Sequence, residues 1–320
     1  MKRPTTIIAI VFALCLAEAC GKETVSVPKD NAPLDFSSSF TRAPLSEVFT
    51  TFKVWTSIQK ADNTITLMNG YRVNFDLSEG WTYILGEGTE SQHLQRWDEG
   101  ASVHRFHAGA PQENVTTISD NSVCVSVKST TTLSETSLFT TPYVVNKHDP
   151  KWGETVNLVF NYANARVNLA FKYISSVGAS LTEIKLTPPA PYASEGTMDF
   201  EYLWNIPKVK AAGLTISSKS STPLSFPDLV IPANSDEYHE TSVPWLMIPD
   251  PAIAGQWTLS LKIDGIKKEI PFTQSKSWES GKSYTYRFEY TDKANLVFAG
   301  TNTELFVGEG PESGGEHNFS

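Results

Sequence analysis

Apolar and polar residues alternate with a period of two along most of this chain. That period puts successive side chains on opposite faces of a strand, one for a core and one for water. Val48-Phe-Thr-Thr-Phe-Lys-Val-Trp-Thr56 opens the pattern. Thr64-Ile-Thr-Leu-Met68 then leads to Asn69-Gly70, and Tyr71-Arg-Val-Asn-Phe75 alternates after it, which predicts a hairpin turning at Asn69-Gly70. Residues 155–162 and 166–173 predict two further strands. Residues 257–263 and 268–272 predict a hairpin across Asp264-Gly265, and residues 284–290 precede a last short run at 296–298. Helical signals are scarce: residues 91–97 and 161–166 each suit one helical turn. Many short strands between Gly, Pro and Asn turns predict an all-β protein, a sandwich or a barrel.

At 320 residues the chain is long for one sandwich and comfortable for two. The alternation breaks at Asp149-Pro-Lys-Trp-Gly153, which places an N-terminal domain at 34–150 and a C-terminal domain at 151–307. Residues 308–320, rich in Gly, Glu and Ser, predict a flexible tail. The first residues read as an address. Lys2 and Arg3 precede an apolar run at 7–16, too short to span a bilayer and right for the core of a signal peptide. Ala17 and Ala19 before Cys20 match a bacterial lipoprotein cleavage site. The expected outcome is a signal peptide at 1–19, acyl chains on Cys20 and a polar tether at 20–33 that reaches from the outer membrane.

Composition narrows the chemistry. The net charge is -9 and no Lys/Arg cluster occurs, so nucleic acid is not an expected partner. Of Cys15, Cys20 and Cys124, two fall in the leader region, and no disulfide framework forms. Cys124, in Ser122-Val-Cys-Val-Ser-Val127, is expected to be a small buried apolar residue. His104 and His107 lie three apart in a strand and face opposite ways, so they share no metal. No nucleophile elbow, phosphate loop or zinc helix motif is present, and the acidic residues are dispersed. No catalytic residue, metal ligand or cofactor is assigned, and an enzyme is not expected. Among the eight Trp, Trp55 and Trp257 alternate into strands and are expected in the core. Trp81, Trp97, Trp152 and Trp278 stand beside turns, either packed at the rim or forming a sugar-stacking platform.

Four segments, in order, resemble the fimbrillin (Mfa-like) family, subunits of the type V pili of Bacteroidales. They are Leu34-Asp-Phe-Ser-Ser-Ser-Phe-Thr-Arg-Ala43, Gln95-Arg-Trp-Asp-Glu-Gly-Ala-Ser-Val-His-Arg-Phe-His-Ala-Gly-Ala-Pro111, residues 156–169, and the pair Leu246-Met-Ile-Pro249 with Trp278-Glu-Ser-Gly-Lys-Ser-Tyr-Thr-Tyr286. In the third, Asn161, Asn164 and Arg166 stand where the family usually has His, Leu and Lys. The resemblance implies two transthyretin-like β-sandwich domains, mainly antiparallel with Greek-key-like connections. It implies a lipoprotein precursor cut by a trypsin-like, Arg-specific protease between Arg42 and Ala43. The first strand, with Leu34, Phe36 and Phe40, is then expelled, and a strand from another pilus subunit refills the sheet. Residues Leu305, Phe306 and Val307 stand where the donor strand is expected. The tail beyond them has few apolar residues, which suits a cap, tip or accessory subunit better than a stalk subunit. Adhesion to a host or bacterial surface ligand is the implied task. A surface glycan-binding lipoprotein is the alternative, and it needs two or three exposed coplanar aromatic rings.

Overall fold

The computed structural model describes residues 31–39, 49–275, 277–291 and 295–306. In chain order the strands are β1 (Phe36–Ser39), β2 (Thr51–Lys60), β3 (Asn63–Asp76), β4 (Gly80–Thr82), β5 (Val103–Ala110), β6 (Val115–Ile118), β7 (Ser122–Lys128), β8 (Leu138–Thr140), β9 (Tyr143–Asn146) and β10 (Val156–Tyr162). They continue as β11 (Ala165–Tyr173), β12 (Ala179–Thr187), β13 (Tyr192–Leu203), β14 (Lys208–Ser220), β15 (Leu224–Ser225), β16 (Leu229–Ile231), β17 (His239–Glu240) and β18 (Trp245–Met247). The last four are β19 (Gly255–Ile263), β20 (Ile266–Gln274), β21 (Lys282–Thr291) and β22 (Asn295–Leu305). The chain forms the all-β class expected from the alternation, as the sandwich that the resemblance implies.

A large sheet runs β1-β10-β8-β5-β2-β3-β4, with β9 also on β5. One of its faces covers the first core, where Phe52, Phe106, Leu158 and Trp97 are buried. Its other face meets the four-stranded sheet β14-β13-β7-β6. There Phe139 and Phe200 stack at 3.8 Å. At Gly109 the two sheets press together: a Cβ there would lie 2.8 Å from Val123 Cγ2. Two five-stranded sheets, built around β11-β21-β22 and β12-β19-β20, sandwich a third core that holds Phe171, Leu186, Trp257 and Phe288. Pairing is antiparallel except for β1 with β10 and β11 with β21.

Strand pairing crosses the position of the expected boundary at 150/151. β10 joins β1 and β8, and β13 pairs with β7, so later residues complete the sheets of earlier ones. Tyr162 is buried in the first core and Ala163 between the large and four-stranded sheets, whereas Ala165 lies in the third core. The helical turn expected at 161–166 is absent because its two ends are paired within β10 and β11 and the residues between them bond elsewhere. Ala163 N–H donates to Ser137 O, and Asn164 Nδ2 donates to Lys128 O (2.9 Å) and Leu246 O (3.2 Å). Residues 91–97 form no helix either; Trp97 and Gln95 bond across to residues 31–34.

The Asp264-Gly265 hairpin forms between β19 and β20, with positive φ at both turn residues. The Asn69-Gly70 hairpin does not form. β3 runs straight through it, and β2 turns into β3 at Ala61-Asp62. Gly70 (φ +69°) is instead the extra residue of a β-bulge, where Tyr71 faces Val54 and Asn69 faces Trp55. Hairpin turns and glycine bulges both demand a left-handed residue, so the dipeptide fits either. Ile118 Cγ2 lies 3.0 Å from a Cβ built at Gly70. Gly70→Ala is therefore expected to cost about 1–2 kcal/mol, read as a lower urea midpoint. An unchanged midpoint would show that the bulge relaxes freely.

Cys124 is half-buried, not buried. Val123, Val125 and Val127 take the core face of β7 and leave Cys124 on the opposite one, beside Asp199. Burial and the Asp199 carboxylate push its thiol upward, away from the thiolate form.

Candidate functional site: the seat of the first strand

β1 is the end strand of the large sheet. The alternation Leu34-Asp-Phe turns Leu34 and Phe36 inward and leaves Asp35 exposed. Leu34 is 0% and Phe36 is 5% exposed, so both belong wholly to the core. Phe36 meets Tyr83 (5.8 Å), Phe52 (6.2 Å) and Phe106 (6.4 Å) edge to face. Burying two such side chains contributes roughly 1.5–3 kcal/mol each.

The backbone of β1 runs parallel to β10, with Phe36 opposite Val156 and Ser39 opposite Val159. Val156 N–H donates to Asp35 O (2.8 Å). Ahead of the strand, Leu34 N–H donates to Gln95 O, Asn31 N–H to Trp97 O and Trp97 N–H to Ala32 O. Tyr83 secures the same segment: its hydroxyl donates to Gln95 O (3.2 Å) and accepts from Gln95 N–H (3.0 Å). Burial lifts that phenol to about 12, so it stays protonated. β1 is thus a short parallel edge strand held by two deep side chains. Removing it exposes a slot lined by Phe52, Tyr83 and Phe106 and a row of unpaired groups on β10.

At the other end, β22 pairs with β21 along its length, and Leu305 lies opposite Lys282. Leu305 is exposed, whereas Phe306 is buried, stacked on Tyr162 at 4.1 Å with the Arg166 guanidinium 5.9 Å from its ring. Phe306 N–H donates to Gly281 O (2.7 Å). Residues Leu305 and Phe306, read as donor-strand residues, are thus engaged within their own chain. Phe306 also belongs to the same core as Leu34 and Phe36. Cys20, Phe40, Arg42, Ala43 and Val307 lie outside the described residues.

The tryptophans sort differently from the sugar-platform reading. Trp55 and Trp257 are buried as expected, and Trp97, Trp152 and Trp278 are buried as well. Trp81 is half-buried among Phe49, Phe52 and Phe75. A cage missed from the sequence surrounds His104, with Trp97 at 4.7 Å and Trp152 at 4.6 Å. Only the indole content hinted at it, because Trp97 and Trp152 come from loops on opposite sides of β5 in the sequence. His107 faces the other way, against Trp55 and Tyr202.

Three apolar cores between stacked sheets, with a short parallel strand at the end of the largest sheet, define an all-β sandwich protein. The chain belongs to the fimbrillin-like family, whose model matches residues 41–304. Among solved structures it is similar to a candidate cell adhesion protein from Bacteroides ovatus, with TM-score 0.52 and 13% identity over 88% of this chain and 100% of that one. It is also similar to a candidate cell adhesion protein from Bacteroides uniformis, with TM-score 0.51 and 13% identity over 87% of this chain and 98% of that one. At that identity the likeness speaks for the fold. A search of curated protein sequences returns no match.

Proposed function

We propose that this protein is a subunit of a cell-surface pilus with an adhesive role, exported as a lipoprotein acylated at Cys20 and carried to the outer membrane. In this reading an Arg-specific protease cuts between Arg42 and Ala43, the strand bearing Leu34, Phe36 and Phe40 leaves, and a strand of another subunit takes its place. The observation that supports it is β1 itself: an end strand, parallel to its one partner, anchored by Leu34 and Phe36 and lying directly ahead of Arg42. A refilled sheet restores the ladder and the apolar pockets together, which makes a long-lived join. A head-to-tail join of this kind does not close and so grows a fibre.

Residues 305–306 are held in the chain's own sheet and core, which favours a terminal or accessory place over a stalk position. We also place the division of the two sandwich units at Ala163-Asn164, with the β13-β14 hairpin returning to the first unit. The glycan-binding alternative loses support, because Trp97, Trp152 and Trp278 are buried.

Limited trypsin digestion of the purified precursor tests the cut. The expected product is one stable large fragment beginning at Ala43, identified by mass spectrometry. No preferred cleavage at Arg42 would remove the processing step. A ladder of heat-resistant homo-oligomers from the cut protein alone would retain strand exchange and overturn the terminal position.

A further inference from the structure

A cleft of about 1040 Å³ opens between the four-stranded sheet and the second sandwich. Residues 209–214 of β14, the end strand of its sheet, line one wall. The turn Ser280-Gly281-Lys282 that leads into β21 lines the other. Phe139, Met198 and Phe200 make the floor, with the Phe139 and Phe200 rings stacked at 3.8 Å. These floor residues belong to the core between the large and four-stranded sheets, not to the core that seats β1.

The polar groups of the cleft gather at one end. Asn161 lies opposite Phe139 in the pairing of β10 with β8, so it borders the floor. The turn at 280–282 stands against the same end of β10. Gly281 N–H donates to Asn164 O (3.0 Å), and a Cβ at Gly281 would lie 3.7 Å from Tyr162 O. Asn161 Nδ2 and Ser280 Oγ are buried there without a hydrogen-bond partner. Unmet buried donors are rare, because each has lost its hydration and gained no bond in return. Rotation about one side-chain bond turns either donor toward the cleft. Lys282 is half-buried and has no ion pair among the described residues. Glu279, the single carboxylate of the lining, is exposed, and Lys208 is already engaged.

Three donors, one of them charged, at the end of an apolar trough describe an amphiphile with an anionic oxygen head. A carboxylate accepts from all three and balances the single ammonium. Residues 209–214 span roughly 17 Å at about 3.3 Å per residue, the reach of a long unbranched acyl chain. We propose that this cleft binds a long-chain aliphatic carboxylate, its head at Asn161, Ser280 and Lys282 and its chain on Phe139, Met198 and Phe200. One wall belongs to β14 and the other to the turn ahead of β21, so the ligand ties the four-stranded sheet to the second sandwich. The site goes beyond the pilus reading and requires no cut at Arg42.

Calorimetric titration of the full-length protein, stripped of lipid, tests the proposal. The probes are tetradecanoate, decanoate and tetradecyltrimethylammonium. Saturable binding of tetradecanoate is expected, with decanoate at least tenfold weaker because it buries fewer methylenes. The ammonium amphiphile, with the same tail and the opposite charge, is expected not to bind. Lys282→Met removes the cation and no core residue, and is expected to weaken tetradecanoate about tenfold. Ala212→Trp, at an exposed position of the lining, is expected to fill the trough and abolish binding while the urea midpoint stays unchanged. Bound tetradecanoate is also expected to slow amide exchange over residues 208–214. Absence of saturable binding would overturn the proposal. So would equal binding of the two charge types, or tetradecanoate binding untouched by Ala212→Trp. The trypsin result at Arg42 bears on none of these outcomes, so the two readings fail separately.

Discussion

Phe36→Ala is expected to destabilise the first core by about 3–5 kcal/mol, the range for truncating a buried Phe. The side chain is 5% exposed and touches three aromatic rings, so the vacated space has rigid walls and little chance to collapse. The loss falls on a strand with few other attachments: one parallel partner, and residues 31–34 bound to 95–97. Urea unfolding followed by tryptophan fluorescence reads the first effect. Amide exchange over residues 31–39 reads the second, and should accelerate more than exchange in β12 or β19. A loss below about 1 kcal/mol would mean that β1 is seated by its backbone alone and that Phe36 is not its anchor.

Acid is expected to weaken the same region through His104 and His107. Both rings are buried, and burial depresses their pKa from the ordinary value of 6.5, to about 4 for His104 and about 3 for His107. Asp98, whose N–H donates to His104 Nε2 (3.2 Å), opposes the shift at His104 with its charge but does not cancel it. The unfolded chain therefore binds protons more readily than the folded one. The stabilisation is complete above pH 6.5 and is lost as pH falls from 6.5 toward 4. With one pKa unit worth about 1.4 kcal/mol, the loss by pH 4 is on the order of 3 kcal/mol at each histidine. Because His104 packs on Trp97, whose backbone holds residues 31 and 32, the first strand should loosen early in that window. Urea midpoints at pH 7.5 and pH 4.5 check this against the variant His104→Gln/His107→Gln, whose slope with pH should be flatter. Equal midpoints at the two pH values in the unmodified protein would refute it.

The class of fold was legible in the alternation because a half-buried sheet imposes a two-residue period on any sequence that forms it. Leu34 and Phe36 could be read as one inward pair for the same reason, and so could the opposite facing of His104 and His107. The Asp264-Gly265 turn was legible because two positive-φ residues between strands have few other uses. Asn69-Gly70 was misread because one left-handed glycine serves a bulge as well as a turn, and only the partner strand β2 decides between them. Cys124 was misread because period-two alternation names two faces but not which one is the core; Val123 and Val125 took it. The buried Trp97 and Trp152 could not be told from surface aromatics, since loop residues carry no periodicity.

By itself the sequence determined the all-β class, the course of several strands and the fact that their two faces differ, because those follow from local sterics and the pleat. Tertiary structure alone decided which strands are neighbours. Nothing local in residues 156–162 says that they pair with β1 and β8 rather than with β11, and nothing in β13 says that it completes the sheet of β7. Those pairings join residues far apart in the chain, and they are selected by the joint filling of the cores. The same joint filling decided that Phe36, near one end, and Phe306, near the other, share one core.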